Sequence, residues 1–234
     1  MLFPGFYFDP LYLLFALPAL VLGLYAQMKI RSAYSKYLRV PNNRGISGLN
    51  AARELLADAG LDSVKIEGTR GELTDHYDPR KKVLRLSENV ANSTSVAALG
   101  IVAHEVGHAV QDAEAYGPLR LRSAIVPAVN IGTWLGPILF IIGYLMQTFD
   151  LAVLGVIVFS GAAVFSLITL PVELNASSRA MQMLGDTGLV TQNEYKGAKS
   201  VLSAAALTYV AAVAQSISTL LYYIFLLGGM RRRD

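Results

Sequence analysis

Residues 94–115 read TSVAALGIVAHEVGHAVQDAEA. Ala97, Ala98, Ile101 and Val102 recur at helical spacing, so the segment predicts a helix from about Thr94 to about Ala115, capped by Asn92 or Ser93 and packed on its apolar face. Within it stands His104-Glu105-Val106-Gly107-His108. Positions four apart share one helix face, so both imidazoles can reach a single ion while Glu105 projects close to a water on that ion. A zinc ion so held lowers the pKa of its water to roughly 7, and the adjacent carboxylate can take the proton as the water attacks a carbonyl carbon. The plain alternative is a helix with two exposed histidines and a surface glutamate. It is disfavoured because the chain has only three histidines and places two of them here.

The rest of the composition narrows the setting. Of 234 residues, 53% are hydrophobic and 16% charged, which is too apolar for an ordinary soluble domain and points to a membrane protein. The absence of cysteine removes disulfides and thiolate metal sites, so a metal here must be held by His, Asp or Glu. A net charge of +3 does not call for nucleic acid, because basic residues in a membrane protein mark its cytoplasmic flanks.

Working outward, a first apolar stretch runs roughly from Phe6 to Met28, long enough to span a bilayer, with a bend expected at Pro18. The basic cluster Lys29, Arg31, Lys36, Arg39 and Arg44 follows it rather than preceding it, which argues against a cleaved signal peptide and for a cytoplasmic following segment. Residues 31–124 have the mixed polarity of a small water-facing domain. Its elements are a helix from Ser47 to Ala59 stopped by Gly60, a short strand at Val64 to Glu67, and a hairpin pairing Gly71–His76 with Lys82–Leu86. Two further spans, Ile125–Met146 and Leu151–Leu170, form a membrane hairpin within residues 125–171, with Pro171 expected to mark where the second one ends. Residues 172–207 turn polar again, and Thr191 with Glu194 has capping-box spacing for a long last helix whose part in 208–234 makes a fourth span. Four spans place Arg231, Arg232 and Arg233 on the outer side, against the positive-inside tendency, but the other seventeen Lys and Arg fall in the two cytoplasmic segments and set the orientation.

A catalytic zinc site usually has three protein ligands and one open position, so a third ligand is required beyond the two histidines. Glu173 and His76 both make chemical sense. Two spans separate Glu173 from His108 and return it to the same membrane face, which favours it. An acid beside a long apolar run is also costly without a partner, and a cation is one.

An opening span, Gly-Glu-Leu-Thr-Asp-His-Tyr-Asp-Pro at Gly71 to Pro79, the His104 to His108 motif, a hydrophobic hairpin and Glu173-Leu174-Asn175-Ala176 together resemble the YugP-like membrane zinc metallopeptidases. More distantly the chain is similar to the HtpX and Ste24 type of membrane peptidase among the gluzincins. That resemblance implies Glu173 as third ligand, within a pattern of Glu, three residues, then Asp. Here the fourth position after Glu173 is Ser177, so the acid that orients a ligand histidine in those relatives is missing, leaving Asn175, Asp112 or a backbone carbonyl to substitute. It also frees His76 or Tyr77, on the neighbouring hairpin, to donate to a developing oxyanion, and Arg179 to steady that oxyanion or a substrate carboxylate, unless Arg179 is an interfacial anchor.

The sequence therefore predicts a mainly α membrane helical bundle of about four spans with a small cytoplasmic α+β zincin-like domain, in the plasma (inner) membrane of a prokaryote. Its expected activity is zinc-dependent endopeptidase cleavage with one Zn2+ per chain, Glu105 as base, and membrane-associated protein substrates laid along the hairpin edge. The competing class is a non-enzymatic membrane scaffold or sensor with a structural zinc site, for which Glu105 between the histidines would serve no purpose. A transporter is ranked last because the spans carry almost no ionisable residues at their centres.

Overall fold

The structure is a computed structural model and describes residues 10–230. The expected start of the first span at Phe6 and the basic residues Arg231 to Arg233 lie outside the described residues. The chain is mainly helical, with one small three-stranded sheet. Among the described residues, four helices are long and apolar enough to cross a membrane: α1 (Pro10–Tyr37), α5 (Gly117–Leu145), α6 (Phe149–Asp186) and α7 (Gln192–Met230). Between α1 and α5 come α2 (Gly48–Asp58), β1 (Lys65–Thr69), β2 (His76–Asp78), β3 (Val83–Ser87), α3 (Glu88–Ala91) and α4 (Val96–Ala113).

The described residues divide into two compact units. One takes the described parts of Met1–Tyr25, Arg122–Ile168 and Tyr209–Asp234. Its packing relies on missing side chains: a Cβ on Gly143 would stand 2.3 Å from the Ala152 backbone nitrogen, and one on Gly155 equally close to that of Phe140. Where lipid removes the hydrophobic drive between helices, such close backbone approach supplies the attraction instead. Exposed apolar side chains such as Ile131, Trp134, Leu145 and Ile157 are what a lipid-facing surface requires.

The other unit joins Ala26–Leu121 to Thr169–Thr208 and carries every residue of the HEVGH motif. Its core is built on α4, which buries Leu99, Val102 and Val106 against Leu55 of α2, Leu84 and Leu86 of β3, and Leu184 of α6. In the sheet, ordered β1-β3-β2, β1 runs parallel to β3 while β2 pairs antiparallel with it, His76 opposite Arg85 and Tyr77 opposite Leu84. β2 is thus an edge strand.

Several elements differ from the sequence expectations, each for a local reason. The first arm of the hairpin begins at His76 rather than Gly71, because Gly71 (φ 100°) and Leu73 (φ 54°) sit in the left-handed region and interrupt an extended run. Helix α4 is capped by Ser95, whose hydroxyl accepts from the Ala98 N–H at 3.2 Å, while Ser93 instead accepts from the Ser95 N–H. Helix α5 starts at Gly117 and α1 continues to Tyr37, because polar residues on an amphipathic face do not stop a helix. Pro171 does not end α6: in a helix interior a proline forfeits its own N–H bond and strains one turn, and α6 runs on to Asp186 with Glu173 inside it. The expected caps at Ser47, whose side chain accepts from Asn50 N–H, and at Thr191, bonded reciprocally with Glu194, are present.

Candidate metal centre

Three side chains converge in the second unit. His104 and His108 project from one face of α4, and Glu173 from α6, so that their ligand atoms all lie within 4.8 Å of one another. Glu173 Oε2 is 3.2 Å from His104 Nε2 and 3.6 Å from His108 Nε2. Zinc bonds of about 2.0–2.1 Å put neighbouring ligand atoms of a tetrahedron about 3.4 Å apart, so these spacings fit an ion placed between them. Two nitrogens and one carboxylate oxygen also match the chemistry of a zinc site that keeps a position open. The expected alternative third ligand, His76, is exposed and engaged elsewhere: its Nδ1 meets the Thr74 carbonyl at 2.8 Å and its Nε2 lies 3.3 Å from Arg85 Nη1.

α4 and α6 come this close because residue 107 has no side chain. A Cβ on Gly107 would lie 2.7 Å from the Ala176 carbonyl oxygen, three residues beyond Glu173 on the same helix. Gly107, the fourth residue of the motif, therefore sets the separation across which Glu173 reaches the histidines. Spacing rules single out the two histidines and Glu105 but are silent on Gly107, whose role depends on a partner helix distant in sequence.

Each of the two histidines has a hydrogen-bond partner on its other ring nitrogen. His104 Nδ1 is 3.1 Å from Ser177 Oγ, and His108 Nδ1 is 2.9 Å from Gln111 Oε1. Ser177, four residues beyond Glu173, thus meets His104 at the ring nitrogen turned away from Glu173. Gln111 is fully buried and donates through Nε2 to the Val172 carbonyl at 2.9 Å and to Asn175 Oδ1 at 2.8 Å. Of the expected substitutes, Asn175 enters only through Gln111, and Asp112 serves a different group. Gln111, which sequence reasoning passed over, follows His108 by three residues and so shares its face.

Glu105 is buried, and one of its carboxylate oxygens accepts the Tyr77 backbone N–H at 2.9 Å. Burial pushes its carboxyl up from the usual range; the two histidines pull it back, and Glu173 adds to the rise. For His108 burial works against the charged form, but Glu173 and Glu105 outweigh it and hold the imidazole above its ordinary value. The Tyr77 phenol donates to Asp112 Oδ2 at 2.9 Å, and burial together with that bond raises its pKa far above the ordinary tyrosine value. Tyr77 thus ties edge strand β2 to α4 at two points seven residues apart, Glu105 and Asp112. Arg179 is likewise engaged, its Nε on Asn175 Oδ1 at 2.8 Å and its Nη2 on Glu114 Oε2 at 2.6 Å.

Comparison with known proteins identifies a family for the chain. Residues 12–228 match the family described as "Putative neutral zinc metallopeptidase". The chain is 46% identical over 216 residues to "Putative membrane protease YugP" of Bacillus subtilis (strain 168), covering 92% of this chain and 96% of that protein. No solved structure matches it.

Proposed function

The chain belongs to the family described as "Putative neutral zinc metallopeptidase", and on that premise we propose that it is a gluzincin-like membrane endopeptidase with its metal held by His104, His108 and Glu173. The observation that carries this reading is the convergence of those three ligand atoms within 4.8 Å, one residue away from a buried carboxylate. A zinc ion held by these three residues would supply Lewis acidity toward a scissile carbonyl and an attacking water. Glu105 takes the proton from that water and passes it to the departing amide nitrogen. The Tyr77 N–H holds one carboxylate oxygen and leaves the other to carry the proton.

The third ligand stands on the same helix as the third apolar run, so membrane proteins or their juxtamembrane tails are the substrates we propose. The basic residues between α1 and α5 and around Lys196 support a cytoplasmic site in a prokaryotic plasma membrane. A scaffold that merely kept zinc for stability would have no use for a buried carboxylate beside the ligands. To test the reading, the detergent-purified protein is stripped by a chelator and assayed on an unstructured protein substrate. Cleavage that disappears and returns with about one zinc per chain supports it, and cleavage indifferent to the chelator refutes it.

A further inference from the structure

We infer that Gln111 is a positioning residue that fixes which nitrogen of His108 faces the metal, and that its amide is required there where a carboxylate would fail. The inference rests on the proposed metal centre and follows from donor and acceptor rules. The Val172 carbonyl can only accept, so the end of the Gln111 side chain that meets it at 2.9 Å must be the NH2 group. The same NH2 supplies its second hydrogen to Asn175 Oδ1 at 2.8 Å. The orientation of Asn175 is set in turn by Arg179, which has no acceptor and donates to that same Oδ1 through Nε.

With both amide hydrogens committed, Gln111 presents only its oxygen to His108. An amide oxygen accepts, so His108 Nδ1 must carry the hydrogen in their 2.9 Å contact, and Nε2, the nitrogen on the Glu173 side, is left with a bare lone pair. The relay therefore runs from Arg179, paired with Glu114, through Asn175 and Gln111 to one metal-facing nitrogen, and ties α4 to α6 behind the ligands. A glutamate at position 111 could accept from His108 equally well. Its second oxygen, however, would face the Val172 carbonyl and Asn175 Oδ1, two acceptors in a site that is fully buried. An amide oxygen thus stands where a carboxylate is the common partner of a metal-binding histidine.

Two measurements on the full-length protein in detergent test the relay. In the zinc-free protein at pH 9, [15N]histidine spectra, assigned with His76→Ala and His104→Ala, should show His108 as a single tautomer with hydrogen on Nδ1. A wild type with hydrogen on Nε2 would overturn the inference whether or not the protein is a peptidase. Zinc affinity by chelator competition should fall about 10–100-fold in Gln111→Met, which keeps the volume of the side chain, and Gln111→Glu should not restore it. Wild-type affinity in either variant would overturn the inference. A wild type that shows the expected tautomer yet binds no zinc would leave the relay standing and remove the peptidase reading instead.

Discussion

Gly107→Ala should loosen the metal centre although it adds only a methyl group and touches no ligand. In a helix interior, alanine is better than glycine by about 1 kcal/mol, so a loosely packed α4 would gain stability. The structure gives the opposite sign. The new Cβ would lie 2.7 Å from the Ala176 carbonyl oxygen, whereas ordinary contact begins at 3.4 Å, so α6 must give by about 0.7 Å. Overpacking of this kind costs about 1–3 kcal/mol, which meets or exceeds the propensity gain. The displacement falls on the helix that carries Glu173 and so disturbs ligand spacings that now stand at 3.2 and 3.6 Å. Zinc affinity should drop by on the order of tenfold or more, as for loss of a group that orients a ligand, with no gain in the melting temperature of the metal-free protein. The assay is chelator competition together with thermal unfolding in one detergent. A variant that melts higher and binds zinc like the wild type would refute the argument that Gly107 sets the helix separation.

Replacing Glu173 by Gln should lower metal occupancy at equal protein concentration, while His76→Ala should leave it unchanged; full occupancy in Glu173→Gln would return the third position to His76. Above the ordinary carboxylate range, where the lowered Glu173 no longer contributes a pH dependence, the metal-free protein should lose stability as pH rises. Burial raises Glu105 above its ordinary 4.5, and Glu173 with Glu105 raises His108 above its ordinary 6.5. Both raised groups contribute stability that is present below those ordinary values and is lost as pH rises through their folded values. Zinc binding needs neutral imidazoles and an ionised Glu173, so the gain in melting temperature on adding zinc should widen over the same range. A gap that narrows from pH 6 to pH 8 would contradict this.

What the sequence revealed and what it hid follow from the range of each interaction. The HEVGH spacing, the Ser47 and Thr191 caps and the four apolar runs are local patterns, legible from helix periodicity and hydropathy. Glu173 was reachable because two intervening spans return it to the face of His108. Its place within a continuous α6 was not, since a proline reads as a helix end in isolation and its tolerance depends on packing. The late start of β2 turns on two left-handed residues, one of them Leu73, a residue type that gives no warning of that conformation. Gln111 and Gly107 were missed for another reason: their partners, Val172, Asn175 and Ala176, lie more than sixty residues away and meet them only after α6 packs on α4. The departure at Ser177 was visible in the sequence, but that its hydroxyl meets His104 Nδ1 required the geometry.

The central claim is that His104, His108 and Glu173 hold a zinc ion which Glu105 puts to use in peptide hydrolysis. Its most direct test is zinc content and cleavage of an unstructured protein by wild type and Glu105→Gln, purified in the same detergent. The account predicts about one zinc per chain in both proteins, with cleavage by the wild type alone. Zinc in both with equal cleavage, or cleavage by neither, would contradict it, the first by removing Glu105 from the chemistry and the second by leaving a centre that only binds.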